Sequence, residues 1–503
     1  MSRTAAAPFQ IQIPLNRGLS AAPLADQIAA HLRTAVLAQT LRPAEQVPST
    51  RALAAALGVS RMTADTAYAQ LIAEGYLEAK PGSGTRVVPQ GQISIPLPPG
   101  TKSKPPLRTD LPPRAALLAE VARNLTVQAA IPLAISAPNE TLAPGKAWTR
   151  IAIAQARTPW RDAAYSGPHG LPALRIQIAE YVRRMRGITC TPDQILITAG
   201  TQQGLSLTAR VLFQPGDQVW LENPGYIPLR AVVQDAGLIA VPIPVDHDGL
   251  SVAAGLHLAP HAAGAYVTPS HQYPLGAVLT MERRLALLTW AQARKAWIIE
   301  DDYDSELRYD GRPIPALAGL DAAEGAVIYL GTFSKMLFPG LRLGYLIAPT
   351  RLADAFAGAR ILADRHAQST DQRVLAEYLA GGHYDAHIRR IRLLFAARRA
   401  ILLAECAAQL TDFGTVVPGD QGMHVLFRFH TPLDDVHLAT TLRGLGIETR
   451  ALSPFYTHSP TSGLLLGFGS FDAAQIKTAI TAIRQALHPL TREPHGKQQP
   501  PNS

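Results

Sequence analysis

The sequence is poor in cysteine and has no long apolar run. Its two cysteines, Cys190 and Cys406, are far apart and have no partners at metal-ligand spacing, which excludes a zinc motif and a disulfide framework. No segment offers the roughly 18 or more consecutive apolar residues that a membrane-spanning helix requires. The N-terminal segment MSRTAAAPFQ lacks the apolar core of a secretory signal. These absences predict a cytoplasmic protein.

What is present is the composition of a large globular protein. The chain has 503 residues, of which 47% are hydrophobic and 17% charged. This length predicts two or three domains. A formal net charge of +9 permits a polyanionic partner but does not identify it.

A proline-rich segment divides the chain into two unequal parts. Residues 89–114 contain eight prolines, four basic residues and one acidic residue, a composition that disfavours helices and sheets. We therefore predict a small N-terminal domain at 10–88, called the head below, a linker at 89–115 and a large domain at 116–488. The polar and proline-rich end of the chain, 489–503, is predicted to be disordered.

The head has the pattern of three helices followed by a β-hairpin. The helical stretches are PLADQIAAHLRTAVLAQ, STRALAAALG and SRMTADTAYAQLIAEG, the last of which begins with Ser60 as its cap. The short joint Gly58-Val59 makes the last two a helix-turn-helix, whose second helix can enter the major groove. The segment GYLEAKPGSGTRVV predicts a hairpin wing that can lie against phosphates.

The third helix of the head is predicted to be amphipathic. The residues expected to face the core are Ala64, Ala67, Leu71 and Ile72, and those expected to face outward are Arg61, Thr63, Thr66 and Gln70. A polar outward face is common to surface helices, so this pattern alone does not indicate DNA binding.

The motifs PSTR, LGVSR, AEGYL and GSGT occur in this order within residues 23–88, and the whole segment resembles the winged helix-turn-helix of GntR-type bacterial repressors. Two loop positions, Gln39-Thr40 and Ala44, depart from that pattern, because glycine is common there in the family. A winged helix that binds another protein is the open alternative. The DNA-binding residues that the resemblance implies are Arg51, Ser60, Arg61, Thr63, Gly82, Ser83, Gly84 and Thr85.

In the large domain, strand-like runs alternate with helical stretches. The runs are QILITAG, QVWLENPGY, GAYVTPSHQYP, AWIIEDDYD and AVIYLGTFSK. This alternation predicts a doubly wound α/β sheet with ligand-binding groups at the carboxyl ends of its strands. The polar residues at or after these ends are Thr201, Gln202, Tyr226, Tyr273, Asp301, Tyr303, Thr332, Ser334, Lys335 and Arg342.

These residue types suit pyridoxal 5'-phosphate (PLP). Lys335 can hold the aldehyde as a Schiff base, and Asp301 can keep the pyridine nitrogen protonated so that the ring withdraws electrons. Tyr303 and Tyr273 can donate to the ring phenolate, and Tyr226 can stack on the ring. The candidates for holding the phosphate, together with a helix N-terminus, are Thr201, Gln202, Thr332, Ser334 and Arg342.

The motifs ENPGY, PSHQYPLG, IIEDDYDSELRY and GTFSKMLFPGLRLGY resemble fold-type I aminotransferases, specifically the domain that follows a GntR-type head in MocR/GabR-type regulators. The resemblance covers residues 20–488. It implies a bacterial PLP-binding transcriptional regulator, acting as a head-to-tail homodimer on double-stranded operator DNA. Its effector would be PLP or an amine, and its targets would belong to vitamin B6 or to amine and amino-acid metabolism.

The sequence lacks both arginines expected to hold a substrate carboxylate. In the family one lies in a GFAR motif, where this chain reads GFGS with Ser470, and the GABA-sensing member has another where this chain has Pro228. Arg230 is nearby but out of register. We therefore expect PLP itself, or an amine without a carboxylate, as effector, and a domain kept for sensing and not for catalysis. An active aminotransferase with an accessory head and a constitutive DNA binder with a degenerate cofactor site stay open.

Overall fold

The computed structural model describes residues 13–18, 22–80, 84–88, 111–124, 130–135, 137, 143–157, 164–311, 314–320, 323 and 325–490. The chain forms two compact units, Met1–Thr109 and Asp110–Ser503. The division between them falls inside the predicted linker, most of which (89–110) lies outside the described residues.

The N-terminal unit has the predicted three helices and hairpin. Its elements are α1 (Leu24–Leu37), α2 (Thr50–Leu57), α3 (Arg61–Ala73), β1 (Leu77–Lys80) and β2 (Gly84–Val87). Serine caps start the second and third helices: Ser49 accepts a hydrogen bond from the Ala52 N–H at 3.2 Å, and Ser60 accepts one from the Thr63 N–H at 3.1 Å. The positions of the helix starts therefore follow directly from the sequence.

The buried face of α3 differs from the prediction at one position. Ala64, Ala67 and Leu71 are buried, but Ile72 is 39% exposed and Tyr68 is buried in its place. Ile72 lies about 90° around the helix from the centre of the buried face, because each residue turns the helix by about 100°. The Tyr68 hydroxyl donates to the Pro48 carbonyl at 2.9 Å, which satisfies its polar end in the core.

The two loop positions that depart from the family pattern have a left-handed backbone. The φ angle is 58° at Gln39 and 64° at Ala44. Glycine adopts this conformation without steric cost, whereas residues with a Cβ do not. This backbone conformation explains why glycine is common at these positions in the family. This chain adopts the same conformation with residues that carry a Cβ.

The large unit is built on an eight-stranded mixed sheet, which confirms the predicted α/β class. Its strands, in the order β3-β10-β9-β8-β7-β4-β5-β6, are β3 (Ile195–Thr198), β4 (Gln218–Asn223), β5 (Ile239–Asp246), β6 (Gly249–Leu250), β7 (Gly264–Val267), β8 (Trp297–Asp302), β9 (Val327–Thr332) and β10 (Gly344–Ile347). Strands β4, β5, β7, β8 and β9 are parallel to their neighbours in this group. Because β10 is antiparallel to both β9 and β3, β3 points the same way as the parallel strands.

Twelve α-helices of the large unit lie in the described residues. They are α4 (Pro113–Asn124), α5 (Gly145–Ala156), α6 (Pro172–Arg186), α7 (Thr201–Leu212), α8 (Ile227–Asp235), α9 (Val252–Leu258), α10 (Met281–Arg294), α11 (Ala353–Asp364), α12 (Ser369–Ala380), α13 (His383–Gln409), α14 (Asp435–Gly444) and α15 (Ala473–Leu490). None of the helices in the described residues combines the length and apolar character needed to cross a bilayer.

Two predicted boundaries differ from the structure by a few residues. The first helix of the large unit begins at Pro113, inside the predicted linker 89–115. Proline fits the first turn of a helix because the N–H that it lacks has no partner there. The last helix continues to Leu490, past the predicted start of the tail. The rest of that predicted tail, 491–503, lies outside the described residues.

A second, antiparallel sheet was not predicted. Its strands, in the order β11-β12-β14-β13, are β11 (Gly414–Val416), β12 (His424–Phe429), β13 (Arg450–Ala451) and β14 (Gly463–Gly467). These strands are short, and the helix α14 separates two of them in the sequence, so no simple alternation marks them. Leu426 of β12 and Leu465 of β14 are buried together with Leu452, the residue that follows β13.

Candidate cofactor site and DNA-binding surface

The predicted cofactor ligands meet at the carboxyl edge of the eight-stranded sheet. Helix α7 begins at Thr201, three residues after β3 ends, and Thr332 is the last residue of β9. Asp301 lies within β8 and not after it, one residue before the strand ends. The parallel direction of these strands brings their polar ends to one edge, as the alternation of runs predicts.

Asp301 offers one carboxylate oxygen to a ligand. Its Oδ2 accepts a hydrogen bond from the Tyr266 hydroxyl at 2.7 Å, whereas its buried Oδ1 has no hydrogen-bond partner among the described residues. Burial raises the pKa of Asp301 to about 7. A buried carboxylate oxygen is costly without a donor, and the protonated nitrogen of a pyridine ring is such a donor. The site therefore fits the ring of PLP.

Lys335 is accessible to solvent but closely surrounded by protein atoms. This desolvation lowers the pKa of Lys335, and the positive charge of Arg450 lowers the same pKa further, while Asp304 and Asp301 oppose the shift. A lower pKa increases the fraction of uncharged amine at neutral pH. An uncharged and accessible amine is the form that attacks an aldehyde.

Three tyrosines adjoin one another at this edge. The rings of Tyr273 and Tyr303 make an edge-on contact with centroids 5.9 Å apart, and those of Tyr273 and Tyr226 make another at 6.3 Å. The Tyr226 hydroxyl donates to Gln202 Oε1 at 3.2 Å, which joins the tyrosines to the first turn of α7. Stacking of Tyr226 on a bound ring stays a prediction.

Gly200 and Gly344 pack closely together at the start of α7. Gly200 caps this helix with a φ of 91°, and a Cβ on Gly200 would lie 3.1 Å from the Arg342 guanidinium. A Cβ on Gly344 would lie 2.9 Å from the Gly200 Cα. Arg342 Nη2 donates to the Ala199 carbonyl at 2.5 Å. The helix N-terminus and one arginine thus lie close together, and both favour a phosphate.

The end of β9 and the loop that follows it supply two buried hydroxyl groups. Thr332 and Ser334 are 8% and 5% exposed, and the Ser334 N–H donates to Thr332 Oγ1 at 3.2 Å. Both side chains lie within three residues of Lys335 in the sequence. Two hydroxyl groups therefore lie close to the lysine in the sequence, and their contact with a phosphate stays a prediction.

Comparison with known proteins identifies both units. The profile "Bacterial regulatory proteins, gntR family" matches residues 24–87, and the profile "Aminotransferase class I and II" matches residues 138–483. The chain is 38% identical to the probable rhizopine catabolism regulatory protein MocR of Rhizobium meliloti, over 92% of this chain and 94% of that protein. It is 36% identical to the pyridoxine biosynthesis transcriptional regulator PdxR of Corynebacterium glutamicum, over 92% of this chain and 95% of that protein.

The chain belongs to the MocR family of GntR-type transcriptional regulators.

Solved structures support the fold of the large unit of this MocR-type regulator. A kynurenine aminotransferase from Pyrococcus horikoshii, solved with PMP, has a TM-score of 0.68 and 26% identity, and the match covers 75% of this chain and 95% of that chain. An archaeal alanine:glyoxylate aminotransferase has a TM-score of 0.65 and 28% identity, over 74% of this chain and 94% of that chain. The predicted aminotransferase-like fold of the MocR-type regulator is therefore confirmed.

The head of the MocR-type regulator presents part of its predicted DNA-binding set to solvent. Arg51, Ser60, Arg61 and Gly84 are exposed, and Thr63 and Thr85 are half-buried. Two further predicted residues, Gly82 and Ser83, lie outside the described residues. Of these six described residues, Arg51 lies on α2 and Gly84 and Thr85 lie on β2. Ser60, Arg61 and Thr63 lie at the start of α3.

Two of these DNA-binding candidates also make contacts within the head. The Ser60 hydroxyl lies 2.8 Å from the Thr63 hydroxyl and caps α3, so it has a structural role besides any contact to DNA. Arg61 makes an exposed ion pair with Asp65, with Nε and Oδ2 3.6 Å apart. An exposed pair of this kind contributes little stability, so Arg61 can exchange Asp65 for a phosphate or a base.

The prediction missed a group of buried side chains that contacts the tyrosines. His271 Nδ1 lies 2.9 Å from Asp304 Oδ2 and 3.0 Å from the Tyr303 hydroxyl. The neighbouring His424 is also buried, and burial lowers its pKa to about 3, so it is uncharged. The motifs PSHQYP and DDYD contain His271 and Asp304, so the rule of strand ends could have found both.

Two other missed residues support the site from different directions. Glu222 accepts hydrogen bonds from the Thr268 N–H at 2.9 Å and from the Thr268 hydroxyl at 2.7 Å, which ties the end of β4 to the end of β7. Arg450, on β13 of the second sheet, lies close enough to the Tyr273 hydroxyl that its charge opposes the rise that burial causes in the pKa of Tyr273. No sequence signal pointed to Arg450, because its strand was itself not predicted.

Proposed function

We propose that this MocR-type regulator binds PLP at Lys335 and Asp301, and that occupancy of this site changes its affinity for operator DNA. The observation that carries the proposal is the buried Oδ1 of Asp301, which has no partner in the described part of the chain. It matches the need of a protonated pyridine nitrogen, and it lies at the same sheet edge as an accessible amine with a lowered pKa.

Each side of the site has a distinct task in this proposal. Bound PLP supplies an aldehyde that reacts with amines and a ring that withdraws electrons. The amine of Lys335 would hold the aldehyde, and Asp301 would accept a hydrogen bond from the ring nitrogen. Tyr273 and Tyr303 would donate to the phenolate oxygen and so orient the ring. The residues proposed to hold the phosphate are Thr201, Gln202, Thr332, Ser334 and Arg342.

The regulatory output requires a difference in affinity. A ligand shifts an equilibrium only to the extent that it binds one state better than the other. In the proposal the protein is a homodimer in the bacterial cytoplasm, with two heads on paired half-sites of double-stranded DNA. The effector is PLP or an amine that reacts with it. The names of the relatives, which concern pyridoxine biosynthesis and rhizopine catabolism, support targets in vitamin B6 or amine metabolism.

The test is fluorescence anisotropy on DNA from the upstream region of the gene itself, at fixed salt, with and without PLP. Wild type is compared with Lys335→Ala and with the control Lys477→Ala, which removes an exposed lysine of α15. We expect PLP to shift the binding curves of wild type and of the control but not that of Lys335→Ala. The absorption band of the cofactor shows whether the site of wild type is saturated. If it is saturated and the DNA-binding curves with and without PLP still superimpose, regulation by PLP alone is contradicted. Turnover of an amino donor would instead favour an aminotransferase with an accessory head.

A further inference from the structure

A buried arginine of α11 contacts both sides of the turn that joins β3 to α7. Arg360 is 1% exposed. Its Nη1 donates to the Ile197 carbonyl of β3 at 2.8 Å and to Gln203 Oε1, in the first turn of α7, at 2.6 Å. This nitrogen carries two N–H groups, so both bonds can form at once. One guanidinium therefore connects the end of the strand with the start of the helix.

The Ile197 carbonyl needs such a donor because it lies in an edge strand. β3 is at one edge of the eight-stranded sheet and pairs there with β10. Backbone groups on the free side of an edge strand have no strand to pair with. At Ile197 the N–H donates to the His169 carbonyl at 2.9 Å, and the carbonyl accepts from Arg360. Arg360 thus satisfies a backbone group directly before the turn.

Gln203 uses both ends of its side-chain amide within the protein. Its Oε1 accepts from the Ala199 N–H at 2.8 Å as well as from Arg360, and its Nε2 donates to Asp364 Oδ2 at 2.9 Å. Asp364 in turn forms an ion pair with Arg360, with Nε and Oδ1 2.5 Å apart. Arg360, Gln203 and Asp364 therefore contact one another in a closed network, and the Gln203 amide is already engaged in it.

The turn held by this network is the one proposed to bind the phosphate. Gly200 and the start of α7 lie between Ile197 and Gln203 in the sequence, and Arg342 donates to the Ala199 carbonyl. The first N–H groups of a helix have no acceptors within it, which makes them available to an anion. Their direction depends on how the turn is held. A shift of the turn would misdirect these donors.

We propose that Arg360, Gln203 and Asp364 form a positioning network that sets the direction of the phosphate-binding N–H groups at the start of α7. The inference deepens the proposed function and rests on it, because it requires PLP in the site. A binding group is precise only when its supporting side chains are themselves held by hydrogen bonds. The effect of the network should therefore be specific for the phosphate and should not extend to the ring or the aldehyde.

The experiment compares PLP with pyridoxal, which has the same ring and aldehyde but no phosphate. Full-length protein is titrated with each compound, and the absorption band of the cofactor reports binding. The variants are Gln203→Ala, which removes the amide at a half-buried position, and Arg360→Lys, which keeps the charge without the fork. The control is Asp354→Asn, which changes an exposed carboxylate of the same helix α11.

We expect wild type and Asp354→Asn to bind PLP more tightly than pyridoxal by the same factor. In Gln203→Ala and Arg360→Lys this factor should fall about tenfold, because misdirected N–H groups lose charge-assisted hydrogen bonds to the phosphate. The affinity for pyridoxal should stay unchanged in all four proteins. Gln203→Ala decides the test by itself if Arg360→Lys does not fold, since alanine is compatible with the helix at position 203.

An unchanged factor in Gln203→Ala, or an equal loss of affinity for PLP and pyridoxal, would overturn the inference and leave the proposed function intact. Hydrogen exchange without PLP gives a second readout, because the acceptor of the Ala199 N–H is Gln203 Oε1. This amide should exchange faster in Gln203→Ala than in wild type, and equal rates would overturn the inference as well. Absence of a cofactor band in wild type titrated with PLP would instead overturn the proposed function, and the inference with it.

Discussion

The hydroxyl of Tyr266, on β7, donates a 2.7 Å hydrogen bond to the carboxylate of Asp301, on the adjacent strand β8. Both side chains are buried. Burial raises the pKa of Asp301 to about 7, and this hydrogen bond limits the rise. Tyr266 thus keeps part of the Asp301 population ionised, the state that a protonated pyridine nitrogen requires.

Removing this bond should weaken PLP binding in a pH-dependent way. In wild type the fraction of ionised Asp301 falls as the pH decreases through about 7, so PLP affinity should fall over the same range. In Tyr266→Phe the midpoint should move to higher pH, and affinity at pH 7 should drop about tenfold, because a hydrogen bond to a charged group contributes about 1.5–3 kcal/mol. Equilibrium titration of PLP between pH 6 and 9 measures both. Equal pH profiles for the two proteins would show that Tyr266 does not control Asp301.

The close contact between Gly344 and Gly200, beside the proposed phosphate site, should not tolerate a methyl group. In Gly344→Ala the Cβ would lie 2.8 Å from the Gly331 carbonyl oxygen and 2.9 Å from the Gly200 Cα, both of which are backbone atoms. We expect the free energy of unfolding to fall by about 1–3 kcal/mol and PLP affinity to fall with it. The control is Gly358→Ala in α11, where a Cβ meets nothing within 4 Å. That substitution should raise stability by about 0.5–1 kcal/mol, since alanine favours a helix. Chemical denaturation with parallel PLP titration distinguishes the two.

Replacement of a left-handed residue of the head by glycine should increase the stability of the head. Ala44 has a φ of 64°, a conformation that costs a residue with a Cβ about 1–2 kcal/mol. Part of this gain is offset by the greater freedom of glycine in the unfolded chain, so we expect Ala44→Gly to stabilise the head by up to about 1 kcal/mol. Ala56→Gly, on an exposed position of α2, should destabilise it by about 1 kcal/mol. Hydrogen exchange of the head amides in the full chain reports both. Protection that falls in Ala44→Gly would refute the strain.

Arg61 should contribute directly to DNA affinity. It is exposed at the start of α3 and has only a weak surface partner in Asp65. If Arg61 contacts a phosphate, Arg61→Ala should weaken binding to all sequences about equally and reduce the slope of log affinity against log salt concentration by about 1. If Arg61 contacts a base, the substitution should relax specificity at one position and cost about 1–3 kcal/mol of binding free energy. The control is Arg294→Ala, an exposed arginine of α10 in the other unit. Anisotropy titrations at several salt concentrations measure the slope, and an unchanged slope and specificity would exclude Arg61 from the interface.

Much of the fold follows from local sequence patterns. Ser49 and Ser60 are visible as helix caps, and the β-branched run AVIYLG is recognisable as the buried strand β9. The rule that chemistry collects at the carboxyl ends of parallel strands brought Asp301 and Lys335 into one predicted site. The error at Ile72 has the same local origin, because an apolar residue at the margin of a helical face can lie on either side of it.

The sequence by itself determined the order of the two units, the fold class of each, and the lysine and aspartate proposed to hold the cofactor, because these depend on local periodicity, capping and short motifs. The tertiary structure decided which side chains surround them. Tyr266 reaches Asp301 only because β7 and β8 are neighbours, and Arg450 reaches Tyr273 only because a second sheet brings β13 to the first. Arg450 and Tyr273 are 177 positions apart in the sequence (450 − 273). They come together through packing, which no local pattern encodes.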